Sequence, residues 1–150
     1  MSVLFSGRDM LEIAVNIERN GETFYQAAVK SAQKDSARAA FDFLAGEERK
    51  HLRTFQSLLN SFPPQPLPET YTGEYALYIK SLSDNRVFTD DNTARSLVAK
   101  AASDAEVIHL ALSVERDSLL FYWEMRGLLR QAALPIMDRI MEEERSHIRQ

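Results

Sequence analysis

Near its start the chain reads Ala14-Val15-Asn16-Ile17-Glu18-Arg19 and then Phe24-Tyr25; near its end it reads Ala111-Leu112-Ser113-Val114-Glu115-Arg116 and then Phe121-Tyr122. A second stretch, Glu47-Glu48-Arg49-Lys50-His51-Leu52-Arg53, returns at almost the same spacing as Glu143-Glu144-Arg145-Ser146-His147-Ile148-Arg149. Halves that repeat in this order are two copies of one helical hairpin. Each copy carries a lone Glu followed by a Glu-x-x-His pair. Together they supply the side chains with which a helical bundle holds two metal ions.

The periodicity supports an all-α bundle of four long helices. Leu11, Ala14, Glu18, Gly21, Tyr25, Ala28 and Ala32 step by three and four residues, as do Phe41, Leu44, Glu48, His51, Phe55, Leu58 and Phe62. Ile108, Ala111, Glu115, Ser118, Tyr122, Met125 and Leu129 form a third stripe, and Ala133, Met137, Ile140, Glu144 and His147 a fourth. Such steps place residues on one helix face, the face that a bundle buries. Helices are expected at about 9–33, 36–61, 104–129 and 135–150, in a single domain spanning 1–150. Asp35 is placed to cap the second helix, and Ser103 with Glu106 reads as a capping box for the third. Pro135 suits the first turn of the fourth, where its missing N–H is no loss.

Short turns make the first and second helices antiparallel, and likewise the third and fourth. Between the hairpins lies a different stretch, 62–103. It opens on Phe62-Pro63-Pro64-Gln65-Pro66-Leu67-Pro68, can hold a short extra helix around Gly73 to Leu82, and then turns through Asp and Asn residues. A long helix of this kind measures roughly 39 Å, a span that extended chain covers in about 12 residues. The stretch is therefore long enough to cross the bundle and let the second and third helices run parallel.

Each stripe places an acid where a bundle ordinarily has Leu. Removing an isolated carboxylate from water costs several kcal/mol even after relaxation, and an uncompensated one takes up a proton instead. Two divalent cations would balance Glu18, Glu48, Glu115 and Glu144, with His51 and His147 as neutral ligands. Carboxylate with imidazole suits iron or manganese. A single Glu-x-x-His is weak evidence, because Glu106 and His109 also match it. That pair fails on phase: Glu106 lies about 180° around the helix from Glu115, and His109 about 120°. It is read as surface.

Tyr25 and Tyr122 each lie two turns beyond a candidate ligand on the same stripe. Two readings stand side by side: a core aromatic with its hydroxyl satisfied, or a phenol bonded to a ligand carboxylate that serves the chemistry. Glu47 and Glu143 are read as solvated surface, the alternative being that they orient His147 and His51 from the neighbouring helix. Glu22 is read as surface. Leu110, Leu112, Leu119, Leu120 and Trp123 lie off the core stripe, which leaves the crossover or the partner in a homodimer to cover them.

Composition narrows the alternatives. No cysteine occurs among the 150 residues, so disulfides, thiolate zinc sites and thiol catalysis are excluded. A net charge of −4 without a basic stripe argues against nucleic acid and anionic membranes. Neither a signal peptide nor a membrane span is expected, which makes the cytoplasm the default compartment.

With these residues in hand, the chain resembles the ferritin-like di-iron carboxylate proteins, and within them rubrerythrin-like proteins. There the first helix reads Glu-x6-Tyr and the second Glu-x-x-His, as at Glu18/Tyr25 and Glu48/His51. The resemblance runs from about Asp9 to Gln150. It implies a ferritin-like four-helix bundle with two iron ions, or manganese or another divalent metal in their place. By that likeness Glu48 and Glu144 bridge the ions, Glu18 with His51 completes one position, and Glu115 with His147 the other. The implied function is a soluble oxidoreductase reacting with hydrogen peroxide or dioxygen at the reduced di-iron centre. The alternatives are a ferroxidase or iron-handling protein acting on Fe(II), and a structural metal-binding bundle. Having no cysteine, the chain lacks a rubredoxin-type site and needs an external electron donor. Ser118 stands where rubrerythrins carry a further Glu, leaving the plainer six-ligand set of bacterioferritin. Arg49 stands where bacterioferritin has its haem-ligating Met, so haem is not expected.

Overall fold

Apolar residues spaced by three and four, with glycine and proline largely kept out, dictate long helices, and long helices form. In a computed structural model, residues 7–61, 91–127 and 131–150 are described, and they contain α-helix, one 3₁₀ turn and no strand. The helices are α1 (Gly7–Ser31), α2 (Asp35–Ser61), α3 (Asp91–Lys100), α4 (Asp104–Arg126) and α5 (Leu134–Arg149). The 3₁₀ turn Gln131–Ala133 leads into α5, which carries Pro135 at its start as expected. Among the described residues no helix is long and apolar enough to cross a membrane.

Hydrogen bonds between helices set the topology. The Asp104 carboxylate, on the first residue of α4, accepts from the backbone N–H of Gln33 and of Lys34, each at 2.9 Å. These bonds tie the α1–α2 turn to the start of α4, so α2 and α4 begin at the same end and run parallel. They also hold the Asp104 carboxyl below its usual range. Tyr25 reaches Glu115 while Tyr122 reaches Glu18, which makes α1 and α4 antiparallel. His51 meets Glu143 and His147 faces Glu47, so α2 and α5 are antiparallel as well. At the start of α4, Glu106 N–H donates to Ser103 Oγ at 3.3 Å while its carboxylate accepts from Ala102 N–H at 2.6 Å. This is a capping box reaching back one residue further than the standard one.

Two sequence expectations shift. The stretch 62–103 was expected to close with turns, but its last part forms α3. Ala94, Leu97 and Val98 share one face of it, and Ala94 and Val98 are buried in the cluster that holds Phe24 and Ala28 of α1. The short helix expected around Gly73 to Leu82 lies outside the described residues, as do the end of the third expected helix at 128–129 and Phe62. Ile108 was placed on the α4 stripe, yet it is 46% exposed and Val107 takes the core position. At this end of α4 the packed side is the one that Val107 occupies, in the cluster that also holds Phe24, Phe41, Ala94 and Val98.

The core is two apolar layers with a polar layer between them. Leu11, Ala14, Phe55, Phe121, Met137 and Ile140 belong to one; Phe24, Ala28, Phe41, Leu44, Val107 and Val114 belong to the other. Of the apolar residues off the α4 stripe, Leu119 and Leu110 pack at the margins of these layers. Leu120 and Trp123 face outward at 64% and 61% exposure.

Phe55 is fully buried, with its ring 5.1 Å from that of Tyr122. Phe55→Ala should therefore destabilise the chain by roughly 3–5 kcal/mol. Leu120→Ala should change stability by no more than about 0.5 kcal/mol. Urea unfolding of both variants checks the contrast.

Candidate metal centre

Between the two layers, helices α1, α2, α4 and α5 each turn one acid inward. Glu18, Glu48, Glu115 and Glu144 are all at or below 3% exposure, and His51 and His147 are buried with them. The i, i+3 spacing on α2 and on α5 puts each His on the same face as its Glu. Two overlapping groups of ligand atoms result, each within 4.8 Å: Glu18, Glu48, His51 and Glu144, and Glu48, Glu115, Glu144 and His147. Glu48 and Glu144 belong to both. All six residues singled out from the sequence thus meet in one place.

The histidines turn Nδ1 inward. His51 Nδ1 lies 3.0 Å from Glu144 Oε1 and 3.6 Å from Glu18 Oε2. His147 Nδ1 lies 3.2 Å from Glu144 Oε2 and 3.6 Å from Glu115 Oε2. Glu144 thereby offers one oxygen to each imidazole. The outward nitrogens meet the acids that precede the Glu-x-x-His pairs, each from the other hairpin. His51 Nε2 is 2.7 Å from Glu143 Oε2, and His147 Nε2 is 3.8 Å from Glu47 Oε2. Glu47 is therefore not solvated surface, its side chain being 14% exposed, whereas Glu143 braces His51 with 38% of its side chain still open to solvent. Glu47 also takes Lys50 at 2.5 Å. Glu22, another expected surface acid, is 17% exposed and accepts from Arg49 at 2.7 Å, pinning α1 to α2. The signal for these roles is the extra Glu that the repeat preserves in both halves, at 47 and 143. Glu106 and His109 are exposed, as phase required.

Each tyrosine seals one end of the polar layer. Tyr25 packs on Phe24 and Phe41 and donates its hydroxyl to Glu115; Tyr122 packs on Phe55 and Phe121 and donates to Glu18. The two readings of these residues merge, since each ring is core and each hydroxyl holds a carboxylate. Burial, then the nearby acids, push both phenols well above their usual range, so both keep their protons at neutral pH.

The electrostatics are those of acids crowded out of water. Burial, then Glu18, Glu144 and Glu115, drive the Glu48 carboxyl well up. Burial, then Glu144, carries Glu115 to about 8. Burial also pushes Glu144 upward, but Glu115, His147 and His51 beside it outweigh that and keep it below the usual range. The Glu115/Glu144 pair thus keeps one proton between its two carboxyls near neutral pH. Burial pulls both imidazoles down, yet the carboxylates beside them win, raising His51 to about 11 and His147 to about 10. Two buried oxygens, Glu18 Oε2 and Glu48 Oε1, have no hydrogen-bond partner, and His51 Nδ1 and Glu144 Oε1, though 3.0 Å apart, are not aligned for a hydrogen bond. All four residues belong to one of the two ligand groups. Orphaned buried donors and acceptors carry a penalty of about 1–3 kcal/mol each, which a divalent cation would relieve. Carboxylates and imidazoles at this spacing fit such ions.

In the metal-free chain Glu115, His51 and His147 bind protons more tightly folded than unfolded. Stability falls with rising pH wherever the folded state holds more protons. For Glu115 that window runs from 4.5 to about 8, and for the histidines from 6.5 to about 10 or 11. Chelator-treated protein should therefore show a thermal midpoint that drops as pH is raised through neutrality. A midpoint that climbs over that range would contradict the proton assignment.

A family model described as Rubrerythrin matches residues 9–150. No curated protein and no solved structure matches the chain. The all-helical architecture is that of a ferritin-like bundle, and the buried acids and histidines are groups able to bind metal. On the extent of that match, the chain belongs to the rubrerythrin family.

Proposed function

We propose that this chain is a di-iron carboxylate oxidoreductase that reduces hydrogen peroxide or dioxygen, taking its electrons from an external donor. One observation carries the reading: two groups of buried ligand atoms that share Glu48 and Glu144, each completed by one Glu and one His. Glu18 and His51 would hold one ion, Glu115 and His147 the other, and the shared acids would span both. Two ferrous ions bound there would supply the electron pair for reducing an oxygen–oxygen bond.

The chain's own residues prepare the place. The apolar layers exclude water, which strengthens every electrostatic interaction between them. Tyr25 and Tyr122 hold Glu115 and Glu18 by their hydroxyls, and each keeps a proton one hydrogen bond from a ligand carboxylate. Glu143 fixes the ring of His51 through Nε2 and so aims Nδ1 inward. A second reading, an iron-handling protein with Fe(II) as its substrate, is favoured by that same Glu143. Its partly exposed carboxylate stands between solvent and His51, as a cation relay would.

Anaerobic loading should give two Fe(II) per chain and raise the thermal midpoint. At free metal about a hundredfold above Kd, each ion adds roughly 2.7 kcal/mol to unfolding. Glu48→Ala or Glu144→Ala should abolish the paired site, and unchanged stoichiometry in either would overturn the assignment. Glu143→Gln should weaken metal binding about 10- to 100-fold. Stopped-flow mixing separates the readings. Rapid peroxide turnover with a reductant supports the oxidoreductase, whereas iron accumulating beyond two per chain supports iron handling.

A further inference from the structure

The core stripe of α1 contains one residue without a side chain, Gly21, midway along a 25-residue helix. Glycine is among the poorest helix formers, and Gly21 is helical and buried, so no unusual backbone conformation calls for it. What calls for it is Glu48. A Cβ built on Gly21 would lie 2.8 Å from Glu48 Oε2 and 3.1 Å from its Cδ. The other carboxylate oxygen, Oε1, is buried without a hydrogen-bond partner. One oxygen of the shared ligand thus rests on bare α1 backbone while the other is left for the site. Gly46 on α2 is the contrast, since nothing lies within 4 Å of a Cβ built there. In the repeat the counterpart of Gly21 is Ser118 on α4, so only the α1 half has given up its side chain.

We propose that Gly21 is a positioning residue for the metal centre: its missing Cβ is the clearance that lets the Glu48 carboxylate take part in both ligand groups. The inference rests on the di-metal reading above and adds a determinant outside the six candidate ligands. Ordinary contact begins near 3.4 Å, so a methyl group at 21 must drive the carboxylate back by about 0.6 Å. Functional constellations tolerate displacements of only about 0.5 Å. The atom displaced is the far end of a flexible side chain, so the fold accommodates the change while the ligand geometry does not.

The test uses the full chain, stripped with chelator and titrated anaerobically with Fe(II). Wild type and Gly46→Ala should each bind two ions with the same metal-induced rise in thermal midpoint. Gly21→Ala should keep a metal-free midpoint at or above wild type, yet lose about 10- to 100-fold in Fe(II) affinity. A double-mutant cycle isolates the contact. In the metal-free protein Gly21→Ala should raise the midpoint more when Glu48→Ala is also present, and Glu48→Ala should restore folding if Gly21→Ala alone unfolds. Wild-type affinity in Gly21→Ala, or an equal effect of Gly21→Ala with and without Glu48, overturns the proposal. A wild-type chain that takes up no Fe(II) overturns the di-metal reading beneath it.

Discussion

Like charges held together out of water govern this molecule. Two unit charges about 4 Å apart repel by roughly 4 kcal/mol at an effective dielectric of 20, and each of the two ligand groups at the centre of this bundle brings three carboxylates within 4.8 Å of one another. A metal-free chain meets the repulsion with protons, which is why Glu48 and Glu115 are pushed upward and both imidazoles are held charged. Cations would meet it by a different route, replacing those protons and giving partners to the buried atoms that lack an aligned hydrogen bond. Metal and protons compete for the same oxygens and nitrogens, so metal binding and pH are coupled in any protein so arranged.

The remainder of the fold keeps the acids where they are. Aromatic rings above and below the polar layer, Phe41 with Tyr25 and Phe55 with Tyr122, shut water out. The restraints run between hairpins more than within them. Tyr25 of the first holds Glu115 of the second, and Tyr122 of the second holds Glu18 of the first. Glu143 braces His51, while Glu47 faces His147 from the opposite side. The α1–α2 turn is tied to the start of α4 through Asp104, a contact that also sets the parallel course of α2 and α4. Neither hairpin alone would hold a complete group of ligands.

The repeat is not an exact symmetry of the structure. Glu143 lies 2.7 Å from its imidazole, whereas Glu47 lies 3.8 Å from His147 and gives its closer contact to Lys50. Gly21 faces Glu48 with bare backbone, and Ser118 holds the corresponding place with a side chain. Duplicated hairpins begin with equivalent halves. Differences at such paired positions are where a duplicated site can assign its two halves different tasks.

Much of this was legible before any coordinates. Period and phase identified the four long helices and put Glu18, Glu48, His51, Glu115, Glu144 and His147 on buried faces, because an acid on an apolar stripe is conspicuous and the repeat showed it twice. Phase also set Glu106 and His109 aside. The partners of Glu47, Glu143 and Glu22 were not legible, since whether a carboxylate at the edge of a stripe meets water or a neighbouring helix depends on crossing geometry that spacing does not encode. The choice of Val107 over Ile108 depended on which side of α4 its neighbours cover, and α3 on an apolar face too short to outweigh the Asp and Asn around it. The sequence alone determined which side chains must leave water. Tertiary structure alone decided which of them touch, because contacts between helices distant in the chain are set by packing distances: only a glycine at 21 leaves room for Glu48, whose Oε2 would lie 2.8 Å from a Cβ placed there.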